Sequence, residues 1–124
     1  MYELSNVSIV IVSFNSEEKL FELFPSIPES CELIIVNNAS NSLPQELKKS
    51  RDFIEIHNSE NKGFGTACNI GVTKASKDFI FLLNPDTLLK DHCLENLLKV
   101  CKDFPNASAF TPKITNKKNK EDFK

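Results

Sequence analysis

Three short apolar runs constrain this 124-residue chain more than any other feature of its sequence. They span residues 7–12, 33–36 and 79–83, and they consist of aliphatic, β-branched or aromatic residues with hardly any polar interruption. Unbroken apolarity over so few residues is typical of strands that are covered on both faces, as in a parallel sheet flanked by helices. We predict two further strands, a weaker one at 53–56 and another at 107–111.

Helical segments alternate with these strands. We predict helices at 17–24, 45–50, 66–75 and 91–104. The first has Ser16 as its expected N-cap and Pro25 as its stop. In the third, Ala67, Gly71 and Ala75 recur every four residues and form a stripe of small side chains that permits close approach to a sheet. The alternation predicts a doubly wound, Rossmann-like α/β fold, with a mainly parallel sheet and helices on both faces.

The composition is that of one globular domain, with 40% hydrophobic and 26% charged residues. We assign residues 1–114 to this domain and 115–124 to a flexible basic tail, because the pattern dissolves there into Asn and Lys. Segment 113–124 holds five of the fifteen basic residues, so the remainder carries ten basic and fifteen acidic residues. A body of that sign argues against nucleic acid as a partner, since such binding depends on neutralising phosphates.

Several features bear on location. No apolar run approaches the ~20 residues of a membrane-spanning helix, and the first residues lack the pattern of a secretory signal. The four cysteines form no CxxC pair, which favours free thiols in a reducing compartment over disulfides. We therefore expect a cytoplasmic protein. Its basic tail is either simply solvated or in peripheral contact with anionic lipid at the inner face of the membrane.

Polar side chains follow the predicted strands at the points where the strands end. These strand exits are residues 13–15, 37–40, 57–58 and 84–87, and they carry amides, hydroxyls and one carboxylate. The carboxyl ends of parallel strands meet at one edge of a sheet, where the ligands of open α/β folds bind. Together the exits predict a polar crevice suited to a nucleotide. Helix capping and turn formation are the alternative explanation for each exit taken alone.

Two features near these exits suit an anion and a cation. Gly63 and Gly65 lie in a loop that leads into the third predicted helix, where backbone N–H groups and the helix N-terminus favour negative charge. Asp86 follows the most apolar strand, on a turn stiffened by Pro85. One carboxylate together with diphosphate oxygens is a usual way to hold Mg²⁺ or Mn²⁺. A simple turn cap is the alternative role for Asp86.

Taken in order, four segments resemble the family-2 glycosyltransferases, especially their bacterial rhamnosyltransferase-like branch. Residues 7–15 look like the family's opening strand and its exit, and residues 33–40 resemble its Val-Asp-Asn-Ala-Ser segment. Residues 60–71 are similar to its Asn-x-Gly-Phe stretch, and residues 81–87 look like this branch's version of the DXD motif. The resemblance covers about residues 7–112.

The resemblance implies the nucleotide-sugar-binding domain of a GT-A-type enzyme that works with Mn²⁺ or Mg²⁺. It implies a UDP- or dTDP-linked sugar, with rhamnose as one candidate. The sugar would be transferred with inversion to a hydroxyl of a glycan or lipid-linked acceptor during cell-surface polysaccharide synthesis. Asp86 would ligand the metal that bridges the diphosphate. The nucleotide-sugar site implied in this way comprises Ser13, Phe14, Asn15, Asn37, Asn38, Asn61, Lys62, Gly63, Phe64, Asn84 and Asp86.

Two departures from the family matter. Asn37 stands where the family usually has an Asp that contacts the base, so a charged contact becomes a neutral one. The family's catalytic base and acceptor site follow in a second half, so no catalytic residue is predicted here and the chain is expected to be incomplete for transfer. A nucleotide-binding module without transfer activity is the main alternative. A receiver-like domain is disfavoured because it needs an acidic cluster where residues 13–15 stand.

Overall fold

The computed structural model describes residues 1–116. Its strands are β1 (Val7–Ser13), β2 (Glu32–Asn37), β3 (Ile54–His57) and β4 (Phe79–Leu83). Its helices are α1 (Glu17–Leu23), α2 (Gln45–Ser50), α3 (Phe64–Lys74) and α4 (Cys93–Asp103), and short 3₁₀ helices lie at Leu4–Asn6 and Phe24–Ser26. The chain divides into two compact units: one holds the four strands with α1, α2 and α3, and the other holds α4 and begins at His92.

The four strands form one parallel sheet in the order β3-β2-β1-β4. The two central strands are almost completely buried: Ile9 and Ile11 of β1 and Ile34 and Ile35 of β2 have no exposed surface. This burial on both faces is what their unbroken apolarity predicts. The predicted α/β class, a parallel sheet flanked by helices, is confirmed.

Strand β4 differs from the central strands because it lies at an edge of the sheet. It pairs with β1 alone among the described strands, and Ile80 and Leu82 are 43% and 52% exposed. Helix α3 packs over β1 and β2, which leaves the face of β4 that carries these two residues exposed. The prediction that this strand is covered on both faces is therefore wrong for the part of the chain that the structure describes.

One further expectation about the backbone is also wrong. Residues 107–111 form no strand in the described chain. Pro105 and Pro112 bracket the segment, and proline lacks the N–H that a sheet ladder needs.

Ser16 is the N-cap of α1, as predicted. Its hydroxyl donates to the carbonyl of Phe14 (3.1 Å) instead of accepting from the helix, so it caps by position and not through a side-chain hydrogen bond.

The structure assigns no disulfide to Cys31, Cys68, Cys93 or Cys101, all of which lie within the described residues. Cys31 and Cys68 are buried. Burial raises the pKa of the Cys68 thiol, so this group stays in its neutral and less reactive form.

Two findings concern contact with membranes. No helix within residues 1–116 is long and apolar enough to cross a bilayer. The predicted basic tail, residues 115–124, lies almost wholly outside the described residues. Both alternatives for this tail, simple solvation and peripheral contact with lipid, therefore stay predictions.

Helix α3 lies close against the centre of the sheet through the small residues that the sequence singles out. Ala67 and Gly71 are buried, and Ala75 packs against the same apolar cluster. A Cβ atom on Gly71 would lie 2.4 Å from Cγ1 of Val10 and 3.0 Å from Cγ2 of Val36. Close packing of this kind leaves no room for an added methyl group. The contact therefore fixes α3, and the loop that precedes it, relative to the central strands.

At the amino-terminal edge of the sheet, Glu32 joins three segments of the chain. Its carboxylate accepts hydrogen bonds from the hydroxyl of Ser8 (2.7 Å) and from the hydroxyl and N–H of Ser76 (2.6 and 2.9 Å). Partial burial works to raise the pKa of Glu32. The hydrogen bonds and the charge of Lys77 outweigh burial, so the pKa lies below its usual value. The carboxylate form thus ties the connection between α3 and β4 to the first two strands.

We predict that Glu32→Gln lowers the free energy of unfolding near neutral pH. We also predict that this free energy falls less in the variant than in the unchanged chain when the solution is acidified. Because the folded-state pKa is depressed, the carboxylate's contribution is complete above its unfolded pKa of 4.5 and is lost as the pH falls through the folded value. Since the lost hydrogen bonds involve a charged group at a partly exposed site, we expect the free energy of unfolding to fall by about 1 kcal/mol at neutral pH. Urea unfolding at neutral pH and at about pH 3.5 measures the difference. An equal deficit at both pH values would contradict a role for the charge.

Candidate functional site

The carboxyl ends of the four strands meet at one edge of the sheet. Ser13 pairs in register with Asn37, and Asn37 with His57, so the exits of β1, β2 and β3 lie side by side. Leu83 at the end of β4 pairs with Ile11 of β1, which places the β4 exit on the other side of β1. The strand exits predicted from the sequence therefore come together along this edge.

The exit of β1 combines a buried hydroxyl with exposed groups. Ser13 has no exposed surface, and its Oγ has no hydrogen-bond partner in the described structure. Phe14 is 51% exposed, and Asn15 is exposed with a φ of 52°. A positive φ is uncommon outside glycine, and Asn tolerates it better than most residues. A buried hydroxyl without a partner is uncommon, and because Ser13 has no exposed surface, its side chain lies behind Phe14 and Asn15 and is not open to a ligand.

Asn37, at the end of β2, is fully buried and uses both ends of its amide within the protein. Its Oδ1 accepts from the N–H of Ala39 (3.0 Å), and its Nδ2 donates to the carbonyl of Asn41 (2.8 Å). The same Nδ2 lies 3.4 Å from Oε2 of Glu55 on β3. Asn side chains commonly stabilise turns through bonds to the backbone a few residues ahead. The side chain therefore closes residues 37–41 into a turn.

Asn38 connects three parts of the edge. Its N–H donates to the carbonyl of Ser13 (2.8 Å), and its Oδ1 accepts from the side-chain amide of Asn58 (2.7 Å). Its Nδ2 donates to the carbonyl of Gly63 (3.2 Å) and lies 3.5 Å from Oδ1 of Asn61. Only 2% of Asn38 is exposed. This side chain holds the loop before α3 against the ends of β1 and β3.

The loop before α3, residues 58–63, ends at Gly63, the N-cap of the helix. Gly63 has φ 84° and ψ 164°, a conformation that is open almost only to glycine. Its N–H donates to Oδ1 of Asn61 (2.9 Å). Lys62 and Phe64 are exposed on either side, the latter by 58%. Helix α3 begins at Phe64, two residues earlier than predicted, so its N-terminus lies directly at this loop.

Asp86 lies on the turn that follows β4. The hydroxyl of Thr87 donates to the carbonyl of Asn84 (2.6 Å) and so stabilises the turn. Asn84 and Asp86 are both exposed. The Asp86 carboxylate makes no hydrogen bond or ion pair with any residue that the structure describes. It is therefore available to a ligand.

A divalent cation fits Asp86 if a ligand supplies the remaining oxygens. Among residues 1–116, no three His, Cys, Asp or Glu side chains lie close enough together to hold a metal ion. Mg²⁺ is commonly bound by one or two carboxylates together with substrate phosphates and water. A single exposed carboxylate is too few ligands to hold a cation by itself. It can bind a cation whose other ligands are diphosphate oxygens.

The sequence identifies His57 and Asn58 as a strand exit, but it does not predict Glu55 or the contacts by which these three side chains support this edge. Glu55 and Asn58 contact the two buried asparagines directly, and Nε2 of His57 lies 2.8 Å from the carbonyl of Ala39. Glu55 is also ion-paired with Lys48 of α2 (3.1 Å). A signal for Glu55 was present, because alternation along β3 places Glu55 and His57 on one face of the strand. Their partners could not be inferred from that alternation.

A cavity of 530 Å³ lies away from these exits, at the amino ends of β2 and β3. It is lined by Glu29, Cys31, Glu32, Leu33, Arg51, Asp52, Phe53 and Ile54. The guanidinium of Arg51 donates to the carbonyls of Pro28 (3.3 Å) and Cys31 (3.0 Å). Desolvation by burial lowers the pKa of Arg51. The guanidinium of Arg51 is thus used in bonds to the backbone, and it joins the segment before β2 to the segment before β3.

Comparison with known proteins identifies the family of this chain. Residues 8–124 match Glycosyl transferase family 2, and the chain belongs to this family. Among curated proteins it is similar to poly-beta-1,6-N-acetyl-D-glucosamine synthase of Staphylococcus aureus (strain COL), at 29% identity over 125 residues. The alignment covers 93% of this chain and 30% of the relative, so the chain spans less than a third of that protein.

Two solved structures share the GT-A-like fold. S. aureus TarS 1-349 in complex with UDP-GlcNAc has a TM-score of 0.68 at 17% identity, over 89% of this chain and 40% of that chain. Mannosyltransferase PcManGT from Pyrobaculum calidifontis, in complex with GDP-Man and Mn²⁺, has a TM-score of 0.67 at 16% identity, over 77% and 32%. At such identities the likeness concerns the fold alone.

Proposed function

We propose that this chain is the part of a polysaccharide-forming glycosyltransferase that binds the nucleoside-diphosphate sugar. The main support is the single edge at which four strand exits, the loop before α3 and the unpaired carboxylate of Asp86 meet. Open α/β sheets take their ligands outside the carboxyl ends of the strands. Membership of the glycosyltransferase family and similarity to a polysaccharide synthase support the class of reaction.

In this proposal the base and ribose lie against the exits of β1 and β2. Phe14 offers an exposed ring, and Asn15 offers polar groups beside it, while the buried Ser13 supports both from behind. Asn37 and Asn38 shape the same site from within, because both are buried and bonded to neighbouring loops. An apolar surface with a few convergent polar groups is the usual composition of a small-molecule site.

The diphosphate lies between the loop before α3 and the turn after β4. Residues 61–64 border it on one side, where Lys62 and the N-terminus of α3 supply positive potential. Asn84 and Asp86 border it on the other side, and Asp86 would hold the Mn²⁺ or Mg²⁺. When bound, the cation stabilises negative charge on the departing nucleoside diphosphate.

The proposed reaction is a single displacement with inversion. The acceptor oxygen forms a bond to the anomeric carbon, the bond from that carbon to the diphosphate oxygen breaks, and the acceptor's proton passes to a general base. No residue of this chain is assigned as that base. We propose a UDP- or dTDP-linked donor carrying rhamnose or N-acetylglucosamine, the latter suggested by the curated relative. The acceptor would be a glycan or lipid-linked glycan at the cytoplasmic face of the membrane.

The proposal predicts that UDP raises the melting temperature of the chain, and raises it further in the presence of Mn²⁺. A ligand that binds only the native state at 100 times its Kd adds about 2.7 kcal/mol, which corresponds to several degrees in a domain of this size. Calorimetry with UDP, dTDP and GDP, with and without Mn²⁺, measures the shift, and Mn²⁺ alone is the control. A melting curve unmoved by all three nucleotides at millimolar concentration with metal would overturn the proposal.

A further inference from the structure

Asn37 lies at the end of β2, in the proposed nucleotide site, yet its side chain is buried and bonded within the protein. It has no exposed surface, and its Oδ1 accepts from Ala39. Its Nδ2 faces two oxygens, the carbonyl of Asn41 (2.8 Å) and Oε2 of Glu55 (3.4 Å). We propose that Asn37 is a positioning residue whose amide must donate, and that it does not touch the base. The proposal rests on the proposed function for the identity of the site that Asn37 serves.

The two oxygens that face Nδ2 require a donor at residue 37. A carboxylate there would place its own oxygen against the carbonyl of Asn41 and close to a second carboxylate, that of Glu55. The neighbouring cation is Lys48, which is paired with Oε1 of Glu55 (3.1 Å). The ring of His57, the register partner of residue 37, is bonded to a backbone carbonyl. A neutral donor is therefore favoured over an ionised carboxylate at this position.

Asn37 acts on the site through the turn that it closes. Turn 37–41 contains Asn38, which binds Asn58 and the carbonyl of Gly63. Release of the turn would loosen the loop before α3, so every nucleotide that uses this loop for its diphosphate would lose affinity by the same factor. A residue that touched the base would instead change the affinities for different bases unequally. The two roles are thereby separable by measurement.

The test is Asn37→Asp in the 124-residue chain. At about pH 8 we expect this variant to melt about 5–10 °C below the unchanged chain. The difference should shrink as the pH falls to about 5, because a protonated carboxyl can again donate to the carbonyl of Asn41. At neutral pH, with Mn²⁺ present, the affinities for UDP and GDP should fall by a common factor. Asn96→Asp, the same change at an exposed position of α4, is the control and should match the unchanged chain.

A second variant keeps the test decisive if Asn37→Asp does not fold at the higher pH. Glu55→Gln removes the opposing carboxylate and places an amide donor near residue 37. The combination of Asn37→Asp with Glu55→Gln is therefore expected to regain part of the lost melting temperature. Glu55→Gln alone, which also loses the ion pair with Lys48, supplies the baseline for this comparison.

Equal melting temperatures of Asn37→Asp and the unchanged chain at both pH values would overturn the proposal. A change of about tenfold or more in the ratio of the UDP and GDP affinities would overturn it as well, because residue 37 would then contact the base. If the unchanged chain binds neither nucleotide, the proposed function fails. The pH-dependent melting of Asn37→Asp still decides whether the amide must donate.

Discussion

Asp86→Asn is expected to remove the metal-dependent part of nucleotide binding and to leave the melting temperature almost unchanged. The carboxylate is exposed and makes no bond within residues 1–116, so its loss breaks no contact of the described fold. A neutral amide is a weaker ligand than a carboxylate for Mn²⁺ or Mg²⁺, which prefer hard, charged oxygen ligands. We expect the gain in UDP affinity on adding Mn²⁺, about tenfold or more in the unchanged chain, to disappear.

Asp78→Asn is the matched control for this experiment. It removes an exposed carboxylate that immediately precedes β4, so that Asp78 lies at the amino end of this strand and Asp86 follows its carboxyl end. Calorimetric titration of UDP with and without Mn²⁺, together with melting curves, is to be performed on both variants. If Asp86 only caps a turn, Asp86→Asn will lose about 0.5–2 kcal/mol of stability and keep the metal effect, which would contradict its assignment as a metal ligand.

Gly71→Ala is expected to destabilise the fold, although alanine is the better helix former. The added methyl would lie 2.4 Å from Cγ1 of Val10 and 3.0 Å from Cγ2 of Val36, both in the central strands. Overpacking of a core typically costs about 1–3 kcal/mol, and the gain in helix propensity returns about 1 kcal/mol. We expect a net loss of up to about 2 kcal/mol, measured by urea unfolding, with a melting temperature lower by up to several degrees.

Gly65→Ala separates packing from helix propensity in this comparison. Gly65 lies in the same helix, but a Cβ atom there would have no neighbouring atom within 4 Å. The substitution should therefore raise stability by about 0.4–1 kcal/mol, since only the propensity term acts. If Gly71→Ala is as stable as Gly65→Ala, the valines yield to the methyl group and α3 is not held as closely as the contact implies.

The central part of the fold follows from patterns among neighbouring residues. The unbroken apolar runs predict β1 and β2 as strands buried on both faces, which the structure confirms. Helix α2 and strand β4 begin and end at the predicted residues. The spacing of Ala67 and Gly71 identifies the face of α3 that packs on the sheet. These predictions succeed because hydrophobicity and its period are local properties of the chain.

The family could also be predicted from the sequence, because the order of the four motifs along the chain is itself a property of the sequence. Each of the four segments is short, and each alone has an ordinary explanation as a turn or a cap. Their order along the chain matches one known arrangement, and the match of residues 8–124 to Glycosyl transferase family 2 confirms the family that this order predicts. The donor branch is a finer distinction, and the rhamnosyltransferase-like assignment stays a prediction.

Only the tertiary structure decided which polar side chains are free to bind a ligand. Asn37, Asn38 and Asp86 are all strand-exit residues in the sequence. The first two are buried and bonded, while Asp86 is exposed and makes no hydrogen bond or ion pair with any residue of 1–116. Their partners Glu55 and Asn58 lie 18 and 20 residues away along the chain. The direction of a side chain depends on strand register, and its partners depend on which segments pack beside it. Both are set by the folded chain as a whole, so the period of a short sequence window cannot contain them.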